Sequence, residues 1–421
     1  MGKDRRSSVR VGDILDDSQL CHIIKKCIGD GSWQLVSAEL RPAAAEGIAG
    51  FLGDHFRLTV RIKLDGRLVI IRLFVKSLPL NNAPKAEFID EHHFNKKEVS
   101  IFKLLDEMDI LVEDANPFVA NALLYNESIL VMRDLTPEGY STTNQLQTFD
   151  LPHVLVTLAS VARFHAAFAN HETKKSLALQ RPYSIVEEHP HINVESNFKD
   201  TPWIHSGAKL SANIINTFSN KYNTIPDLET KFLKQFLEAC DELAEHKETL
   251  NVVLHKDLWV NNIMFKYENG VPINSILVDF QCVRYGPPAF DVTFFIYNTT
   301  SRSFREQYEG TYLKHYFNIF TEFLDVHTKS RLKVLGYDFE DFLRWIEYSK
   351  RFAGLGGIML GPYVLMDPGT AQVTFDDPAT FEKLTNEDRS EPVLAHARRC
   401  AEYKRRLVDI NEEFVERYVR P

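Results

Sequence analysis

The chain has 421 residues, 49 of them Lys or Arg and 58 Asp or Glu, for a formal net charge of −9. With 44% hydrophobic and 25% charged residues it has the composition of a globular protein, built as two or three domains or as one two-lobed domain, with a core that needs no metal or disulfide staples. The charge balance excludes a sequence-wide nucleic-acid or anionic-membrane binder, since both need clustered excess Lys and Arg.

In chain order, Met1 to Ser7 lacks the apolar core of a secretion signal, and Arg6 stands where a myristoylation signal carries Ser or Thr. No stretch approaches the ~18 uninterrupted apolar residues of a membrane span, so a cytoplasmic protein is expected. Cys21, Cys27, Cys240, Cys282 and Cys400 are widely spread without a CxxC pair, and read as free thiols. The segment 56–76 alternates Phe56, Leu58, Val60, Ile62 and Leu64 with Arg57, Thr59, Arg61 and Lys63, turns at Asp65-Gly66, and resumes with Val69, Ile71, Leu73 and Val75. This is an antiparallel hairpin, with Lys76 at its end on the face opposite Val75.

Phe94, Val99, Phe102 and Leu105 predict a helix over 94–106, and Ser128 to Met132 a short buried strand. Helical spacing follows at 152–169, with Pro152 in the first turn, and at 226–246, 304–326, 339–354 and 392–417. One β-like island interrupts at 250–282. There is no internal repeat or low-complexity tract. The expected class is α+β: a small antiparallel-sheet N-lobe over 1–133, a large mainly helical C-lobe over 134–421, and a ligand cleft between them.

The island reads NVVLHKDLWVNNIMFKYENGVPINSILVDFQ over 251–281. One apolar strand delivers His255-Lys256-Asp257, Asn262 follows, and a second strand delivers Asp279. Asp and Asn at strand ends are costly to place unless solvated or coordinating. Mg²⁺ prefers such oxygen ligands and shares them with nucleotide phosphates, while a carboxylate beside the ion can orient a hydroxyl. His-x-Asp-x-x-x-x-Asn followed by a strand-end Asp is the loop logic of kinase-fold phosphotransfer. Its companions stand in order: Lys76 on the hairpin, Glu98 on the next helix, and the hinge-like strand end at Met132.

These segments resemble the ecdysteroid-kinase-like family of arthropods, relatives of choline and aminoglycoside phosphotransferases within the protein-kinase-like fold. The resemblance is carried by HKDLWVNNIMF (255–265), LVDFQ (277–281), GPPAFDVTFFI (286–296), RLFVKSLP (72–79) and SVARFHAAF (160–168), and spans about residues 30 to 415. It implies a small-molecule kinase using ATP and Mg²⁺. Asp257 would be the catalytic base or hydroxyl-orienting carboxylate, and His255 would support the loop. Asn262 and Asp279 would hold the metal, Lys76 would clamp the phosphates and Glu98 would clamp Lys76. Asp291 would accept hydrogen bonds from the loop backbone. Two departures stand out. Lys256 replaces the Gly or Arg of many relatives, with a side chain that can point away. The phosphate-covering segment EGIAGFLG (46–53) is not GxGxxG, although Gly47, Gly50 and Gly53 still allow close backbone approach.

Several residues carry rival readings. Glu91 competes with Glu98 for Lys76, and Lys96 and Lys97 would make Glu98 a surface ion pair. His165 fits a core histidine, Trp259 either lines the acceptor pocket or packs on the loop, and His189-Pro190-His191 lacks a third metal ligand nearby. The basic run Arg398-Arg399 with Lys404-Arg405-Arg406 reads as a solvated helix face. The implied acceptor is an ecdysteroid or another lipophilic alcohol, plant-derived and xenobiotic ones included. The aromatics Phe290, Phe294, Phe295, Tyr297, Tyr312, Tyr316, Phe317 and Tyr348 lean toward an apolar pocket. The alternatives are a kinase for a polar cation such as choline or an aminoglycoside, and a catalytically silent nucleotide binder.

Overall fold

The computed structural model describes residues 9–29, 31–43, 52–80, 82–110, 116–375, 377 and 380–420. Helix α1 (Asp17–Ile28) leads into strands β1 (Trp33–Pro42), β2 (Asp54–Leu64) and β3 (Arg67–Ser77). Helices α2 (Ala83–Glu91) and α3 (Phe94–Glu107) follow, then β4 (Ala122–Tyr125) and β5 (Ile129–Arg133). The five strands form one antiparallel sheet in the order β1-β2-β3-β5-β4. Asp65 and Gly66 both take positive φ (49° and 80°), which gives the tight turn a twist matching the strands it joins. Period-2 alternation then sends Phe56, Leu58, Val60, Ile62, Leu73 and Val75 onto one face, where Leu20, Ile23 and Ile24 of α1 cover them. Lys76 therefore emerges on the other face.

The rest is mainly helical. Its strands are β6 (Tyr140–Ser141), β7 (Val252–Leu254), β8 (Ile263–Glu268), β9 (Val271–Leu277) and β10 (Arg284–Gly286), paired as β6-β8-β9 and β7-β10. Its helices are α4 (Leu151–Leu179), α5 (Ile185–Glu188), α6 (Pro202–Phe218), α7 (Leu228–Glu242), α8 (Ala289–Thr299), α9 (Arg302–Phe323), α10 (Val326–Leu335), α11 (Phe339–Val364), α12 (Pro368–Phe375), α13 (Phe381–Asn386), α14 (Ser390–Arg399) and α15 (Ala401–Phe414). This is the two-lobed, protein-kinase-like arrangement. The large core reaches into the N-lobe through Ile101, Phe102, Leu104 and Leu105 of α3 and Leu130 and Met132 of β5, so α3 is packed by both lobes.

Some expectations needed correction. Helix α4 continues ten residues past 169 because His171, Glu172 and Thr173 are buried, and Glu172 accepts hydrogen bonds from Ile185 N (3.0 Å) and Tyr285 Oη (2.8 Å). Among the described residues only α4 is long and apolar enough to cross a membrane by length and composition, and 56% of its most apolar window is buried in the core. Helix α11 runs to Val364, not 354, through glycines that seat it closely on α8 and α15. The expected helix at 392–417 breaks at Cys400 into α14 and α15. Arg406 is not on a solvated face: it is buried and donates to Asn298 O (3.1 Å), while Arg405 pairs with Glu402 and Asp409 at the surface. Strand β1 escaped detection because its side chains are mostly exposed or half-buried, which erases the alternation.

Candidate active site

Lys76 pairs in register with His55 of β2 and Leu130 of β5, which aims its side chain into the cleft between the lobes. Its Nζ donates to Glu98 Oε2 (2.8 Å), Asp279 Oδ1 (2.7 Å) and Gln281 Oε1 (3.2 Å). Burial alone would lower the Lys76 pKa, but the carboxylates of Asp279 and Glu98 outweigh it and hold the ammonium charged. Burial likewise opposes ionisation of Asp279, and the Lys76 charge keeps its carboxyl below the usual range. Glu98 accepts Phe280 N (3.2 Å) on its other oxygen. The rivalry on α2 and α3 is thus resolved: Glu98 is buried against Lys76, and Glu91 is exposed.

The loop after β7 is shaped by a buried acceptor. Asp291 takes hydrogen bonds from His255 N (2.6 Å) and Lys256 N (2.8 Å), and His165 Nε2 lies 3.0 Å from it, with His165 Nδ1 2.7 Å from Tyr316 Oη. His255 is fully buried, and its Nε2 donates to Val278 O (3.0 Å). Burial lowers its pKa, which keeps the ring neutral. It supports the loop and does not line the cleft. Asn262 Nδ2 donates to Asp257 Oδ2 and Asp257 O, both at 2.8 Å, so the amide locks the loop that carries Asp257. Burial first, then the nearby Asp279, raises the Asp257 carboxyl well above the usual range.

Asn262 spends its amide nitrogen on Asp257, leaving its oxygen, together with the Asp279 carboxylate, as hard donors on one cleft wall. Among the described residues that line the cleft, the Lys76 ammonium stands against the carboxyl groups of Asp54, Glu98, Asp257 and Asp279. This excess of carboxyl groups and oxygen donors fits a hard divalent cation.

Met132 and Gly53 also line the cleft. A Cβ on Gly53 would come within 3.0 Å of Ser77 O and 3.3 Å of Lys76 Cγ, so only glycine lets this backbone approach the lysine strand without a shift. Gly47 and Gly50 lie outside the described residues. His191 Nε2 meets Ser100 Oγ at 2.6 Å. Lys97 is fully buried and is not a surface partner of Glu98. The side chain of Lys256 does point away from the cleft, onto Glu195 (2.6 Å).

The cleft has a volume of about 330 Å³ and extends past Asp257 between Phe88, Trp203, Trp259, Leu360, Tyr363 and Phe375. Trp259 therefore lines the pocket. The eight C-lobe aromatics whose number leaned toward an apolar pocket are not in this wall; Phe290, Phe294, Phe295 and Tyr316, among them, are consumed by the core, as a kinase core would do. Sequence reasoning missed Gln281, whose place two residues after Asp279 was its one signal. It also missed Phe88, Trp203, Tyr363 and Phe375, which no spacing connects.

The fold, with a carboxylate-paired lysine facing Asp and Asn at strand ends, defines a phosphotransferase of the small-molecule kinase class. A model of the ecdysteroid kinase-like family matches residues 48–328, and the chain belongs to that family. Among solved structures it is similar to a choline kinase from Cryptosporidium parvum Iowa II (12% identity, 96% of this chain and 98% of that chain, TM-score 0.43). It is also similar to an ethanolamine kinase from Plasmodium vivax (10% identity, 93% and 91%, TM-score 0.41). No curated protein matches it.

Proposed function

We propose that the protein transfers the γ-phosphoryl group of ATP to a hydroxyl of a neutral, lipophilic alcohol of about steroid size, an ecdysteroid being the acceptor its family suggests. The observation that carries this reading is the continuity of the Lys76–Asp279–Asp257 cluster with an aromatic wall. The carboxylates lining the cleft are Asp54, Glu98, Asp257 and Asp279, and Asp54 accepts Leu80 N (2.9 Å). Among the described residues the wall around Phe88, Trp203, Tyr363 and Phe375 adds no carboxylate and continues into Leu360, Val364 and Ala371, a broad apolar surface that suits a ring system.

In this reading Lys76, aimed by Glu98, positions the phosphates, and Asp257, held by Asn262, aligns the acceptor hydroxyl. Mg²⁺ bound by Asn262 and Asp279 would supply neutralisation of phosphate charge. The bridging β,γ P–O bond breaks as the acceptor oxygen bonds to phosphorus. ADP leaves with the electron pair, and the hydroxyl proton passes to Asp257. Most of the rate gain is positioning and electrostatics.

The test is a screen of steroid and plant alcohols, with choline alongside, incubated with ATP and Mg²⁺ and read by mass spectrometry. A phosphorylated steroid or plant alcohol is expected, and Asp257→Ala and Asp279→Ala should each lower turnover by roughly 10²–10⁴-fold without unfolding the protein. Full turnover in either variant would overturn the assignment of the site. Product from choline alone would overturn the acceptor class, and nucleotide binding without any product would favour a silent binder.

A further inference from the structure

The segment 194–198 is held by two buried lysines that arrive from opposite lobes. From α3, Lys97 Nζ donates to Val194 O (2.7 Å) and Ser196 Oγ (3.0 Å). From the loop after β7, Lys256 Nζ donates to both oxygens of Glu195 (2.6 and 2.7 Å). Glu195 turns the segment on itself by accepting Asn197 N (3.0 Å) and Phe198 N (2.9 Å). Arg284 of β10 donates to Asn193 O and lies 3.9 Å from Glu195. Ser196 Oγ donates onward to His92 O (2.9 Å), where α2 gives way to α3. The two lysines directly precede the residues that matter in the cleft, Glu98 and Asp257.

We propose that Lys97, Glu195 and Lys256 are positioning residues. Through the 194–198 segment they tie α3 to the loop carrying Asp257, so that the Lys76–Glu98 pair and the Asp257 carboxylate are set together. The inference rests on the kinase reading of the site. Two further observations support it. Lys256 sits in the left-handed region (φ 59°), which a lysine adopts only when surroundings over-determine it, and its anchors are Asp291 at the backbone and Glu195 at the ammonium. Lys97 has no exposed surface, and among the described residues its ammonium donates to two neutral oxygens, Val194 O and Ser196 Oγ. Burial, joined by the Lys256 charge and opposed by Glu195, pushes its pKa down to about 7. Keeping a lysine in such a place works against folding, so a gain elsewhere is the reason to look for.

That cost separates a positioning role from a structural one. Lys97→Met keeps most of the length of the side chain and removes the buried ammonium. Its Tm is expected to equal or exceed that of the wild type while kcat falls at least tenfold. Glu195→Gln keeps the shape and loses the counter-charge. Amide hydrogen exchange, which needs neither nucleotide nor acceptor, is expected to quicken in this variant over both 255–262 and α3, although the carboxylate itself bonds nothing on α3. A kcat within twofold of wild type in both variants would overturn the proposal. Faster exchange confined to the C-lobe would do the same, as would activity lost only in step with Tm. Should wild-type protein give no product with any acceptor, the kinase reading fails, and the exchange experiment still decides whether the two lobes are tied at 194–198.

Discussion

Lys256, next to Asp257, is the residue of the loop after β7 with a left-handed backbone, and its geometry shows how it is accommodated. The backbone holds φ 59° because Asp291 fixes the amide, and the side chain ends on Glu195. Glycine would relieve the left-handed strain, worth about 1–2 kcal/mol. It would also leave the largely buried Glu195 without its main counter-charge, and breaking a buried pair from one side costs about 3–5 kcal/mol. The second effect is larger, so Lys256→Gly is expected to destabilise the protein by a few kcal/mol in denaturant unfolding. At this scale the sequence was informative wherever a role is encoded by immediate neighbours. Asp257 and Asp279 announce themselves through the strands that precede them, and Asn262 through its spacing from Asp257 and the strand that follows it. Glu195 and Gln281 do not, because their importance lies in what they touch.

Elements were legible in proportion to how one-sided their burial is. Strands β2 and β3 alternate cleanly because one face is covered by α1, whereas β1 is half-exposed on both. Helix α11 is instructive. The run Gly354, Gly356 and Gly357 reads as a place to stop a helix, since each glycine costs about 1 kcal/mol relative to alanine. The helix continues because those positions face packed neighbours: a Cβ on Gly356 would sit 2.4 Å from a ring carbon of Phe294 on α8, and one on Gly354 3.0 Å from Phe414 on α15. Close packing of α8 and α11 outweighs helix propensity. Gly356→Ala is accordingly expected to destabilise by about 1–3 kcal/mol through overpacking, despite alanine's better propensity. A Tm above wild type would show that the ring swings aside freely.

For the whole molecule, the relation between the lobes is the quantity of interest. Lys76 of the small lobe is bonded to Asp279 and Gln281 of the large one, and the large core takes in α3 together with Leu130 and Met132 of β5. A ligand spanning that cleft should stabilise the protein as a unit: at a hundredfold excess over Kd, ATP with Mg²⁺ is expected to add about 2.7 kcal/mol. The rise in Tm should shrink when EDTA removes the metal and in Asp279→Ala. A rise indifferent to both would argue against a metal held by Asn262 and Asp279. The order of Lys76, Glu98, Asp257, Asn262 and Asp279 along the chain was enough to expect them together in one cleft, because each is framed by a strand or helix written in adjacent residues. The aromatic wall was decided by the tertiary structure alone. Phe88, Trp203, Tyr363 and Phe375 come from four helices whose only common property is the face each turns to the cleft. The same holds for Lys97: in the string Asn95-Lys96-Lys97-Glu98 it looks solvated, and only the packing of α3 against 194–198 buries it. Local patterns record what a segment prefers, whereas burial depends on which distant surface arrives to cover it.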